Sequence, residues 1–137
     1  MTSVLDAVKW ISLPSNHDPR GVLTSIEGGE DIPFAIKRIF YMHHITTDRG
    51  GHAHTDTDQV VIATSGSFNI DVSDGQRHET HTINDPTQGI YTPRMVFINL
   101  YNFSSDAVCL VLASTHYDMS KSIRSWEAYL EVIGYRG

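Results

Sequence analysis

The chain of 137 residues carries ten Lys and Arg against sixteen Asp and Glu, a formal charge of −6 at pH 7, with 40% hydrophobic and 19% charged residues. At roughly 100–200 residues per domain this predicts one domain over residues 1–137, apolar enough to build a core, and the acidic balance excludes nucleic acid as a main partner. The single Cys109 excludes an internal disulfide framework and a cysteine-rich zinc site, and the eight histidines are the unusual entry. No run approaches the roughly 18 apolar residues of a membrane span, and Met1–Asp6 lacks the pattern of a signal peptide, so a soluble cytoplasmic protein is expected.

In chain order, Val4 to Leu13 mixes Val8, Trp10 and Ile11 with polar residues and reads as an edge strand. In a small barrel such an arm can pair with a neighbouring subunit, so residues from about 1 to 13 are candidates for exchange in a homodimer. Turn signals then recur at short intervals, from Pro14 and Pro19-Arg20-Gly21 through Arg49-Gly50-Gly51 and Asp74-Gly75 to Pro93. Short β-prone segments between such signals predict an all-β sandwich or barrel. On the strand Ile36–His44 one face reads Ile36, Arg38, Phe40, Met42 and the other Lys37, Ile39, Tyr41, His43, and alternation does not say which points inward. Val60–Ala63 and Ala107–Ala113 are continuous apolar runs, as in strands buried on both sides, so a second layer or a second subunit must cover their outer face. Phe68-Asn69-Ile70-Asp71-Val72 alternates, with Phe68, Ile70 and Val72 expected in the core and Asp74-Gly75 as a tight hairpin turn. Ser120 to Ile133 spaces Ile123, Trp126, Leu130 and Ile133 by three and four, which predicts one C-terminal helix on the barrel's outside.

The chemistry concentrates at His52-Ala53-His54. Histidines at i and i+2 on a strand share a face, so both imidazoles enter one cavity if that face is internal. His52-x-His54-x4-Gln59-x6-Gly66 is similar to the first cupin motif, and Pro93-x4-Ile98-x3-Asn102 is a degraded second one. A metal-binding cupin uses three histidines and a glutamate. Here Gln59 and Ile98, an amide and a hydrocarbon, stand in two of the four places, and Asp56 or Asp58 reaches the site only through a distorted turn. Two imidazoles satisfy neither a tetrahedral zinc nor a two-His-one-carboxylate iron site, so no metal and no cofactor is expected. Titrating near 6.5, the same pair suits proton transfer at neutral pH. Arg49 offers a donor fork for phosphate, with Arg20 and Arg38 as further candidates, and Tyr41 is the remaining acid–base candidate.

The run Phe34–Tyr41, then Arg49-Gly50-Gly51-His52-Ala53-His54, then Tyr101-Asn102-Phe103-Ser104-Ser105-Asp106-Ala107 through Ser114, with Tyr117-Asp118 and Ile123-Arg124, resembles the dTDP-4-keto-6-deoxyhexose 3,4-ketoisomerases over nearly the whole chain. The resemblance implies a cupin jelly-roll barrel, dimeric with exchanged N-terminal strands. It also implies metal-free transfer of the ketone of dTDP-4-keto-6-deoxy-D-glucose from C4 to C3, with the product passing to a PLP aminotransferase in deoxyamino-sugar biosynthesis for an O-antigen or S-layer glycan. His52 carries over as the base at carbon and His54 as its assistant. A tyrosine on the preceding strand would pass a proton between the sugar oxygens; this strand has Phe40-Tyr41, where the family often has two tyrosines. Gln59 could donate to the enolate in place of a metal ligand. Two positions of the family go with galacto or gluco products: Arg20 resembles the galacto type, whereas Ile98 matches neither type, so the C4 configuration stays open. A non-catalytic nucleotide-sugar-binding cupin and a metal-dependent cupin enzyme are the alternatives.

Overall fold

Two antiparallel five-stranded sheets face each other in the computed structural model, which describes residues 3–134. The strands are β1 (Lys9–Ser12), β2 (Ser15–Asp18), β3 (Gly21–Thr24), β4 (Arg38–Met42), β5 (Arg49–His54), β6 (Gln59–Ser65), β7 (Phe68–Ser73), β8 (His78–Ile83), β9 (Gln88–Thr92), β10 (Phe97–Tyr101), β11 (Val108–Ala113) and β12 (Ser122–Ile123). One sheet has the order β1-β9-β6-β11-β4, the other β12-β5-β10-β7-β8, while β2 and β3 form a separate hairpin. This is the all-β architecture that the turn spacing predicts and the cupin jelly roll that the resemblance implies, with one short helix, α1 (Trp126–Ile133), at the C-terminal end. No helix among the described residues is long and apolar enough to cross a membrane.

The period-two pattern of β7 does what such a pattern dictates. Phe68, Ile70 and Val72 are at most 1% exposed between the sheets, and the outward Asn69 accepts a hydrogen bond from Thr82 on β8. Asp74-Gly75 does turn the chain, through four residues rather than two: the Asp74 carboxylate accepts from the backbone N–H groups of Gln76 and Arg77, and Gly75 adopts φ +99°. A side chain at Gly75 would also collide with Ile133 of α1.

The continuous apolar runs of β6 and β11 are indeed buried on both faces. Val61, Ala63, Cys109 and Val111 point into the inter-sheet core. Val60, Ile62 and Leu112 point outward, where the chain's own segment between β3 and β4 covers them with Ile32, Phe34 and Ile36. The N-terminal arm begins with a 3-10 turn, Val4–Ala7, capped by Ser3. Its strand β1 is at the sheet edge, as the sequence predicts, and here pairs with β9 of the same chain.

The predicted helix starts later than Ser120. Ile123 has helical spacing to Trp126, yet Ser122 and Ile123 are extended and pair with His54 and Ala53 of β5. The helix begins only after Ser125, whose side chain caps the Ala128 N–H, and it ends at Gly134 in the left-handed conformation. It packs outside the second sheet, where Tyr129, fully buried, meets Ala53, Phe97 and Ile123. The Tyr129 hydroxyl donates to the carbonyl of Met95 at 2.7 Å, and burial pushes its pKa up to about 12. Ala53 therefore turns to the helix, and its neighbours His52 and His54 turn into the barrel.

Candidate active site

The strand that carries the histidines is bent by its glycines. Gly50 and Gly51 have φ of +99° and +72°, and the β5–β10 register slips between Ile98, opposite His52, and Asn99, opposite Gly50. Gly51 is the extra residue of a β-bulge, which re-aims the side chains that follow. A Cβ on Gly50 would lie 2.8 Å from the Ile98 carbonyl oxygen. The close backbone approach that these glycines permit is thus to β10.

Beyond the bulge His52 and His54 stand edge to face, ring centroids 4.9 Å apart, with His52 at the junction of two chambers and His54 in the outer one. The outer chamber, about 420 Å³, takes both histidines together with Arg38, Arg49 and Arg124. Among its lining residues the only carboxylate is Asp118. The inner chamber, about 410 Å³, shares His52, Phe40, Arg49 and Arg124 with the outer one, then runs between the sheets to Gln59, Val61, Ile98 and Val111. Each is of the size that holds a small ligand. An acidic chain thus presents a locally cationic cavity, with Arg38 held by cation–π contacts 5.1 Å from the Phe40 ring and 5.2 Å from the Tyr117 ring.

Both imidazoles are held neutral near pH 7. Burial pushes His52 below the ordinary histidine value, the charges of Arg124 and Arg49 add to this, and a hydrogen bond with the Gly50 backbone opposes it. Burial, then His52, Arg38 and Arg124, takes His54 down to about 4, against the pull of Asp56. Three buried nitrogens at this site have no protein partner among the described residues: His54 Nε2, Arg38 Nε and Gln59 Nε2. Together they offer a ligand an imidazole nitrogen and two neutral or cationic donors.

A divalent metal does not fit these residues. Besides the two imidazoles stand the Gln59 amide and the Ile98 hydrocarbon, Asp58 is bound by Arg94 at 3.2 Å, and no group of three or more His, Cys, Asp or Glu suited to a metal occurs among the described residues.

Of the residues singled out in the sequence, His52, His54, Arg38, Arg49 and Gln59 meet at this site, and two do not. Tyr41 is on the outer face of β4, 63% exposed and beside His43, because the strand turns Arg38, Phe40 and Met42 inward. Phe40 takes the place in the cavity. Arg20 is at the tip of the β2–β3 hairpin, its side chain 91% exposed and paired with Asp18 at 2.8 Å, away from this chain's cavity. Arg124, Ser122, Thr57, His116 and Tyr117 complete the lining and were not foreseen as site residues. Tyr117-Asp118 and Ile123-Arg124 belong to the segments that carry the resemblance, and that was their one signal. Reading Ser120–Ile133 as a single helix hid the return of the chain to β5 that delivers Ser122 and Arg124.

Comparison with known proteins gives this geometry a family. The chain is 36% identical over 127 residues to a TDP-4-oxo-6-deoxy-alpha-D-glucose-3,4-oxoisomerase of Aneurinibacillus thermoaerophilus, covering 91% of each. Its fold superposes on a 3,4-ketoisomerase from Helicobacter canadensis with TM-score 0.90 at 33% identity, covering 93% of this chain and 98% of that one. A mutant of the 3,4-ketoisomerase QdtA from Thermoanaerobacterium thermosaccharolyticum, in complex with TDP-4-keto-6-deoxyglucose, also gives TM-score 0.90, at 34% identity and with 94% and 95% covered. Residues 6–134 match the family model "FdtA: WxcM-like, C-terminal", and the chain belongs to that family of sugar 3,4-ketoisomerases.

Proposed function

We propose that the chain is an isomerase that moves the ketone of a TDP-linked 4-keto-6-deoxyglucose from C4 to C3 by acid–base chemistry. The observation that carries this reading is the His52–His54 pair, with His52 shared by the two chambers, His54 in the outer one, and Arg38, Arg49 and Arg124 around them. The arginines suit the diphosphate in the outer chamber and leave the sugar at the entrance to the inner one, against His52 and within reach of His54.

The carbonyl at C4 acidifies the C3 hydrogen, and neutral His52 removes it. The resulting enediolate is stabilised by the cationic guanidinium groups and the Gln59 amide. His54, with Nδ1 directed to Ser122, uses Nε2 to take the O3 proton and return it to O4, the task for which Tyr41 faces the wrong way. His52 then gives its proton to C4. Positioned acid–base groups of this kind each contribute roughly 10²–10⁴-fold.

The reading extends to a cytoplasmic homodimer. The β2–β3 hairpin exposes Val22 and Leu23, at 54% and 63%, and a lone two-stranded ribbon is marginal in water, which supports packing on a second copy. Sedimentation of the 15.3 kDa chain as a monomer would remove this part. A ketone at C3 is the group that a PLP-dependent aminotransferase consumes.

The direct test is to follow TDP-4-keto-6-deoxyglucose by NMR with the purified protein in deuterated water. Conversion to a 3-keto sugar with deuterium at C4 is expected, and His52→Asn should abolish both. An unchanged spectrum would leave a non-catalytic binder.

A further inference from the structure

The two walls of the inner chamber are chemically unlike. One, from β5 and β10, carries His52, Ile98 and Leu100; the facing wall, from β4, β6 and β11, carries Phe40, Met42, Gln59, Val61 and Val111. Nothing on the facing wall can deliver a proton to carbon, since its side chains are hydrocarbon, thioether or neutral amide. On the first wall His52 is the one imidazole among the described residues, because its cross-strand partner is Ile98. The Arg49 and Arg124 guanidinium groups, the Asp48 carboxylate and the Thr47 hydroxyl belong to the rest of the lining, outside these two sets of side chains. His54, which serves the sugar oxygens, and His116, Tyr117 and Asp118 line the outer chamber and not the inner one.

Building on the isomerase reading above, we infer that this chain makes the 3-keto product with the galacto configuration at C4. In a D-gluco ring the C3 hydrogen lies on the face opposite the C6 methyl, and His52 must approach that face. The C3–H bond breaks, its electron pair forms the C3–C4 double bond, and the C4 carbonyl pair moves to O4. In the second half O3 loses its proton and becomes the C3 carbonyl, O4 gains a proton, and the double-bond pair takes a proton at C4. The sum moves one hydrogen from C3 to C4 and one from O3 to O4, with no oxidant or reductant. Among the described residues His52 is the only acid on either wall, so C4 is protonated on the face from which C3 lost its hydrogen. The C4 hydrogen then lies away from the methyl and the hydroxyl on the methyl's side, which is galacto. The gluco epimer requires an acid on the facing wall, where Gln59 and hydrocarbons stand.

The test is the early product of TDP-4-keto-6-deoxyglucose in ordinary water, read by the H4–H5 coupling. A small coupling, from an equatorial H4, is expected for one epimer in at least about tenfold excess. Substrate labelled with deuterium at C3 should in addition carry part of the label to C4 in the first turnovers, as a single shuttling base requires. A large diaxial coupling or a near-equal mixture overturns the inference and leaves the isomerase reading intact. Absence of any conversion overturns both.

Discussion

Ser122 Oγ lies 3.4 Å from Nδ1 of His54, and the two residues are cross-strand partners in the β12–β5 pair. With Nδ1 engaged, Nε2 is left as the nitrogen free for the substrate, buried and without a protein partner among the described residues. Ser122→Ala should therefore lower kcat by about 2- to 10-fold, the value of one hydrogen bond, with KM little changed. Nitrogen NMR of the His54 ring should show the two tautomers mixed in the variant and one dominant in the parent. An unchanged kcat with an unchanged ring signal would reduce Ser122 to a strand residue.

Arg124 acts on the histidines through its charge as well as on any phosphate through its donors. It helps hold His52 and His54 below the ordinary value of 6.5. His52 must be neutral to take the C3 hydrogen, so kcat/KM should fall on the acid side with an apparent pKa below 6.5. Arg124→Met removes a cation and should move that limb upward, toward the ordinary value, besides raising KM. A limb that stays in place while KM rises would confine Arg124 to substrate binding.

Tyr41 presents its ring to the outer surface, on the edge strand of its sheet. Tyr41→Phe should leave kcat/KM within about twofold of the parent, as for exposed substitutions generally. A loss of a hundredfold or so, on the scale of an acid–base group, would restore the phenol to the proton path and require β4 to turn over in the working enzyme.

That disagreement over Tyr41 shows how far the sequence reaches. His52 and His54 were legible because period-two spacing puts both on one face whatever the fold, and Gln59 was legible from its place in the cupin-like spacing that follows them. On β4 both faces are half apolar, since Ile39 and Tyr41 are exposed where Phe40 and Met42 are sheltered, so the pattern could not choose. The β-strands were readable from turn spacing, and the cover over β6 and β11 was required by their double-sided burial. Arg124 and Ser122 were not readable: they reach the site through a two-residue pairing of β12 with β5, and Ile123, Trp126, Leu130 and Ile133 mimic one continuous helix across it. Arg20 is a local matter too, since its pairing with Asp18 belongs to the hairpin tip and says nothing of a cavity.

His54 also ties stability to pH. Its pKa is about 4 in the folded chain against an ordinary value of 6.5, because burial and the neighbouring cations disfavour the imidazolium. As pH falls below about 6.5 the unfolded chain takes up this proton first, so the contribution, fully present above 6.5, declines through the interval down to about 4 and is flat below it. The lowered value for His52 acts in the same direction. Urea midpoints should therefore drop between pH 7 and pH 4.5. His54→Gln, which keeps a polar group of similar reach but cannot titrate, should flatten part of that drop. An identical pH dependence in parent and variant would mean that His54 is solvated and charged when folded, and with it the neutral imidazole on which the O3-to-O4 proton transfer rests would be lost.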